Sequence, residues 1–141
     1  MTIDEHARIQ TGLLLRRLAI QVNRAAKSCD EKAVHDLRVS IRRLSRCLRV
    51  FSQFYSEESW KKIRRRLKTL MEAAGPVRDM DIAMEFMNEI GSGKRSPLVH
   101  RLAESRRAAR RELEREVRTW KERGFAKTWR TTLGLNGARK A

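Results

Sequence analysis

His35, Arg38, Arg42, Arg46 and Arg49 recur at intervals of three and four residues. If each residue turns the chain by about 100° on an α-helix and His35 is set at zero, the four arginines fall near 300°, 340°, 20° and 320°. They form one narrow stripe about 21 Å long. Arginine presents a planar fork of N–H donors that matches phosphate oxygens, so the chemistry open to such a stripe is the holding of a phosphate-rich anion. No acidic residue occurs between Leu37 and Gln53 to neutralise it. Like charges four residues apart repel by only tenths of a kcal/mol per pair. A whole row without acids is nevertheless what a polyanion partner would require. Arg43 stands apart from the stripe, near 80°.

The neighbouring apolar residues Val34, Leu37, Ile41, Leu44, Leu48 and Phe51 occupy roughly 160° to 260° of the same helix, which makes that side the core-facing one. A second pattern follows in the next segment. Trp60, Ile63, Leu67, Leu70, Met71 and Ala74 share one face, with Lys61, Arg64 and Lys68 beside it. Two such helices packed together are expected to set two basic rows along one groove. Arg16, Arg17 and Arg24 could add to this from the first helix. Arg106, Arg107, Arg110 and Arg111 alternate with Glu104, Glu112, Glu114 and Glu116, so that stretch reads as self-neutralised.

Helical periodicity runs almost end to end. The spacing predicts a first helix over Ile3 to Lys27 and a second from Glu31 to Phe54, capped by Ser28 or Asp30. A third is predicted from Glu57 to Ala74, with Gly75-Pro76 as a stop. A short fourth, starting near Pro76 or Asp79, ends before the Gly91-Ser92-Gly93 connection. A long fifth covers Pro97 to Glu122, and a short sixth begins near Gly124. Nothing alternates with period two. The expectation is an all-α, antiparallel bundle of five to six helices over residues 1–133, with 134–141 as a frayed tail.

Composition agrees with the stripe. The 141 residues contain 33 Lys and Arg against 17 Asp and Glu, a formal charge of +16. That excess points to nucleic acid, an acidic surface or a phosphate polymer as partner. Two cysteines are too few for a disulfide framework, and the polar N-terminus resembles no secretory signal, so a cytoplasmic protein is expected. No apolar run is long enough to cross a membrane.

Other chemistry is weakly supported. Asp79 and Asp81 could pair around a metal, but two acids in the first turn of a helix are more simply read as dipole partners. His35 has neither a nucleophile nor a carboxylate at a spacing that would make it a general base. Cys29, His35 and Cys47 lack zinc-ligand spacing, and no phosphate-binding glycine loop occurs. No catalytic residues, metal or cofactor are therefore expected.

The string Ala33-Val34-His35-Asp36-Leu37-Arg38-Val39-Ser40-Ile41-Arg42-Arg43-Leu44-Ser45-Arg46 resembles the signature of the CHAD family, the conserved histidine α-helical domain. Gly75-Pro76-Val77-Arg78-Asp79-Met80-Asp81, following Leu67-Lys68, resembles a second segment of the same family. The resemblance covers roughly residues 1 to 130. It implies an all-helical fold and binding of inorganic polyphosphate through His35, Arg38, Arg42, Arg43 and Arg46, together with Lys68 and Arg78. Arg49 and Arg64 join these from the two helical rows. The family's domains are typically about twice as long, with two bundles facing across a basic channel. This chain resembles the first half, which implies either a homodimer that completes the channel or binding on an open half-groove. Polyphosphate, in the cytoplasm or on polyphosphate granules, is the expected partner. A nucleic-acid binder, or a regulatory module of a phosphate-handling enzyme, is the alternative. Against nucleic acid, the arginine stripe has no interleaved aromatics and no Asn or Gln for base reading.

Overall fold

The computed structural model describes residues 1–91 and 96–136. Five α-helices and one 3₁₀ turn follow in order: α1 (Ile3–Lys27), α2 (Glu31–Val50), the turn Ser52–Phe54, α3 (Glu57–Glu89), α4 (Pro97–Arg123) and α5 (Phe125–Thr132). Among the described residues there is no strand. α1 packs on α2, α2 on α3, α3 on α4, and α4 back on α1, so the four long helices close a ring around one core. α5 lies against α1. The all-α antiparallel bundle expected from periodicity is the fold.

Local chemistry explains the boundaries. Thr2, Asp30, Ser56 and Ser96 each cap a helix, their side chains accepting from the backbone N–H of Glu5, Ala33, Ser59 and Leu98 respectively. Asp30, not Ser28, is therefore the cap of α2. Gly124 ends α4 at φ 59° and ψ 46°, a left-handed conformation that glycine adopts without steric cost. α2 stops at Val50, four residues before the expected end. The Phe51 N–H still bonds to the Cys47 carbonyl, and the chain then tightens into the 3₁₀ turn.

The largest departure is at Gly75-Pro76. The expected stop is absent, and α3 runs unbroken for 33 residues with Pro76 inside it. A proline disfavours helix in the preceding residue because its ring meets that residue's β-carbon. Gly75 has no β-carbon, so this clash does not arise. Residues 57–89 are thus one helix rather than two, and Asp79 and Asp81 lie in its interior instead of in a first turn.

The core is aliphatic. Leu15, Leu18 and Val22 of α1 meet Leu37, Ile41, Leu44 and Leu48 of α2, and Ile63, Leu67 and Leu70 of α3. Leu113, Val117 and Trp120 complete it from α4. On α1, Leu13 is 46% exposed, and Thr11 takes an inward position. Thr11 is held there by donating to the Ala7 carbonyl at 2.8 Å and accepting from the Tyr55 hydroxyl at 2.7 Å. Trp120, Phe125 and Trp129 pack edge to face with centroids 4.9–5.3 Å apart, fixing α5 to the end of α4.

The packed chain extends past residue 133. Leu135 is only 1% exposed. Arg8 secures this end: it donates to the carbonyls of Leu133 (2.8 Å), Gly134 (3.1 Å) and Phe54 (3.1 Å), while Asp4 holds its Nε at 2.9 Å. The expected frayed tail therefore does not begin at Gly134. The remainder of that tail, 137–141, and residues 92–95 of the Gly91-Ser92-Gly93 connection lie outside the described residues.

Candidate functional site

Packing of the apolar faces of α2 and α3 brings their basic flanks together. Between them lies a groove of about 670 Å³. Arg42, Ser45, Arg46 and Arg49 of α2 form one wall, and Trp60, Lys61, Arg64, Arg65, Lys68 and Met71 of α3 form the other, with Ile41 and Leu67 at its base. The lining contains seven cations and no carboxylate.

Lys61 is partly engaged, through an ion pair with Glu57 one turn earlier. Among the described residues, Arg42, Arg46, Arg49, Arg64, Arg65 and Lys68 form no ion pair. Arg64 is positioned from both sides: its Nε donates to the Ser45 hydroxyl at 3.2 Å, and its guanidinium lies 5.9 Å from the Trp60 ring centre. The Lys61 ammonium lies 5.8 Å from the same ring. Trp60 thus supports two cations at the groove mouth. A row of positive charge in which no carboxylate competes can bind the successive phosphates of a chain.

The residues singled out from the sequence divide into four groups. Arg42, Arg46, Arg49, Arg64 and Lys68 are brought together in the groove. Arg38 lies further along the same helix seam, half-buried. Burial lowers its pKa, the neighbouring Arg42 and Arg78 add to the effect, and Asp79 opposes it. His35 and Arg43 are exposed and do not line the groove. Arg78 is held elsewhere, 3.5 Å from Glu31 at the start of α2.

The arginines of α1 contribute nothing to this groove. Arg24 is occupied by Asp36 at 3.0 Å, and Lys32 approaches the same carboxylate at 3.4 Å. Partial burial works against the charged form of Asp36, but the hydrogen bond from Arg24 and the charge of Lys32 outweigh it and hold its pKa low. On α4, Arg115 pairs with Glu112 and Arg118 with Glu114. The self-neutralisation expected of Arg106, Arg107, Arg110 and Arg111 is not found among the described residues: Arg106 and Arg110 turn to Asp81 of α3, and neither Arg107 nor Arg111 pairs with a glutamate.

Arg65 and Trp60 were not anticipated at the groove. Arg65 shares the flank of Lys61 and Lys68, four residues from one and three from the other, and that spacing was the available signal. The apolar period places Trp60 on the core face. Its ring is only half-buried, so an aromatic does stand beside the basic rows.

Asp79 and Asp81 do not form a site together. Asp81 is 4% exposed and faces α4, with its Oδ1 2.8 Å from Arg106 Nε and 3.9 Å from Arg110 Nη2. Neither oxygen receives a well-aligned hydrogen bond, so the contact is charge against charge. Asp79 is exposed. Among the described residues, no three His, Cys, Asp or Glu side chains gather as a metal set. No helix among them is long and apolar enough to cross a membrane.

No match was found among curated proteins or among solved structures. The family model of the CHAD domain matches residues 11–141, nearly the whole chain, and spans both the arginine stripe and the groove. The chain belongs to the CHAD domain family.

Proposed function

We propose that this chain is a non-catalytic module that holds inorganic polyphosphate in the groove between α2 and α3. The observation that carries the reading is the groove lining, in which both walls supply cations and no carboxylate intervenes. A phosphate polymer has uniform charge and no bases, so it needs a track of positive charge and no base-specific contacts. Release of its condensed counterions drives binding, as it does on nucleic acids. Because one chain supplies both walls, a second copy would extend the track rather than create it. Arg42, Arg46, Arg49, Arg64 and Lys68 contact phosphate directly in this reading. Arg38 and His35 lengthen the track beyond the groove. The cytoplasm, including polyphosphate granules, is the compartment that fits this role.

Beyond net charge, Trp60 at the groove mouth favours nucleic acid, since bases stack on aromatic faces. Both readings are separated by titrating the protein with long-chain polyphosphate at physiological salt, with single-stranded and duplex nucleic acid as competitors. Polyphosphate should resist displacement at equal phosphate concentration. Displacement by nucleic acid would replace the polyphosphate reading. The paired substitution Arg42→Glu and Arg46→Glu should abolish binding with helicity unchanged.

A further inference from the structure

At the far end of α3 from the groove, three large apolar side chains lie in the open. Ile82, Phe86 and Ile90 are 47%, 57% and 57% exposed. Their spacing of four residues puts them on one stripe of the helix. Leu98, in the first turn of α4 at the same end of the α3–α4 hairpin, is 52% exposed. Apolar residues scattered singly on a surface need no explanation, but a contiguous row of this size marks an interaction surface.

The charge around the row identifies what covers it. After Arg78, α3 carries Asp79, Asp81, Glu85 and Glu89 and no Lys or Arg. This is a local acidic arm on a chain of charge +16. Turning by about 100° per residue, Glu85 and Glu89 fall along one edge of the apolar stripe. The adjacent arm of α4 is the reverse. Between Pro97 and Arg111 it carries five arginines against Glu104 alone. Asp81 engages Arg106 and Arg110, which leaves Arg101, Arg107 and Arg111 exposed. The hairpin end therefore presents an acidic, apolar helix beside a basic one.

Such a surface is complementary to itself under a two-fold rotation. Stripe against stripe would oppose Glu85 and Glu89 to their own copies. Laying α3 of one copy on α4 of the other pairs acids with arginines twice and covers both apolar rows. We infer that two copies of this chain dock through their α3–α4 hairpin ends, the Ile82–Phe86–Ile90 stripe of each on the basic arm of α4 of the other. Phe86 lies 22 residues along α3 from Arg64, about 33 Å. The contact thus leaves both grooves open. It gives the dimer two separate anion sites, and that last point rests on the polyphosphate reading.

Sedimentation of the full chain without any ligand tests the contact independently of what the groove binds. In physiological salt the protein should sediment as a particle of about 33 kDa, two copies of 16.5 kDa. Phe86→Lys should sediment as a monomer with the same helical circular dichroism. Glu85→Lys with Glu89→Lys should also be monomeric, and mixing it with Arg101→Glu, Arg107→Glu chains should restore a mixed dimer. A wild-type protein that stays monomeric across a dilution series overturns the inference, as does a dimer that survives Phe86→Lys. Loss of polyphosphate binding with the dimer intact would count against the groove reading and not against this contact.

Discussion

The guanidinium of Arg38 in α2 rests beside Gly75 in α3, its Nη1 4.0 Å from where a β-carbon on that glycine would stand. This contact sits where the sequence announces a break and the helix does not break. Gly75 removes the clash that Pro76 imposes on the preceding residue, while its 4.0 Å spacing to Arg38 would accommodate a β-carbon.

Pro76 itself still costs stability, because it supplies no N–H to the carbonyl of Glu72 and its ring crowds that carbonyl. Pro76→Ala should stabilise the protein by roughly 1–3 kcal/mol in chemical denaturation. With Pro76→Ala in place, Gly75→Ala should add about 1 kcal/mol more, since 4.0 Å is ordinary contact. In the wild-type background the same Gly75→Ala change should gain less, because it restores the β-carbon that the proline ring opposes. Equal effects in both backgrounds would show that the clash is not what Gly75 relieves.

Much of this was legible in the sequence, and the misses have physical causes. The period of the apolar residues, with Ser28 or Asp30 as a cap, located α1, α2 and the start of α3. The stripe from Arg42 to Arg49 and the row Lys61, Arg64 and Lys68 could be placed side by side by rotation alone, because apolar faces dictate which flanks meet. Gly-Pro ordinarily punctuates a helix, and here the absent β-carbon of Gly75 removes the punctuation. Leu135 lay in a Gly- and Asn-rich string that reads as tail. Its burial depends on Arg8, more than a hundred residues away, capturing the carbonyls of Leu133 and Gly134. Asp81 was legible as an acid but not as a buried one, since its partners Arg106 and Arg110 belong to another helix.

That buried acid should matter for folding more than for binding. Asp81→Ala leaves two partly buried guanidinium groups without their counter-charge and should cost about 3 kcal/mol. Arg106→Ala should cost less, because Arg110 remains within 3.9 Å of the carboxylate. Urea titrations of both variants check the order, and affinity for polyphosphate should be unchanged in each where it is folded.

Binding in the groove should fall steeply with salt. If most of the six unpaired groove cations contact phosphate, the slope of log K against log salt should be about −3 to −4, by analogy with single strands. Lys68→Ala should make it shallower by roughly 0.7. Arg78→Ala should leave it unchanged, because Arg78 is engaged with Glu31. An equal loss of slope in both variants would place Arg78 in the contact after all.

The two thiols should be inert in the folded protein. Burial, reinforced by Glu114, pushes Cys29 up to about 11. Burial also raises Cys47 and Tyr55, in each case against a hydrogen bond with Thr11 that lowers it. A group whose pKa is raised by folding stabilises the fold below its unfolded value and loses that contribution as pH rises through the folded one. Stability should therefore hold up to about pH 9 and decline toward pH 11. A thiol reagent at pH 8 should label neither cysteine until denaturant is added. Rapid native labelling of either would show that its pocket opens.

The continuity of α3 through Pro76 has a mechanical meaning. The groove wall at Arg64 and Lys68 and the apolar row at Phe86 stand on the same unbroken rod. Their separation is fixed by the rise of one helix and not by a hinge. In the two-fold pair inferred above, the two basic tracks would then be held at a set distance and α3 would act as a ruler: short anions would occupy one track at a time, and only chains long enough to span the pair would gain from both.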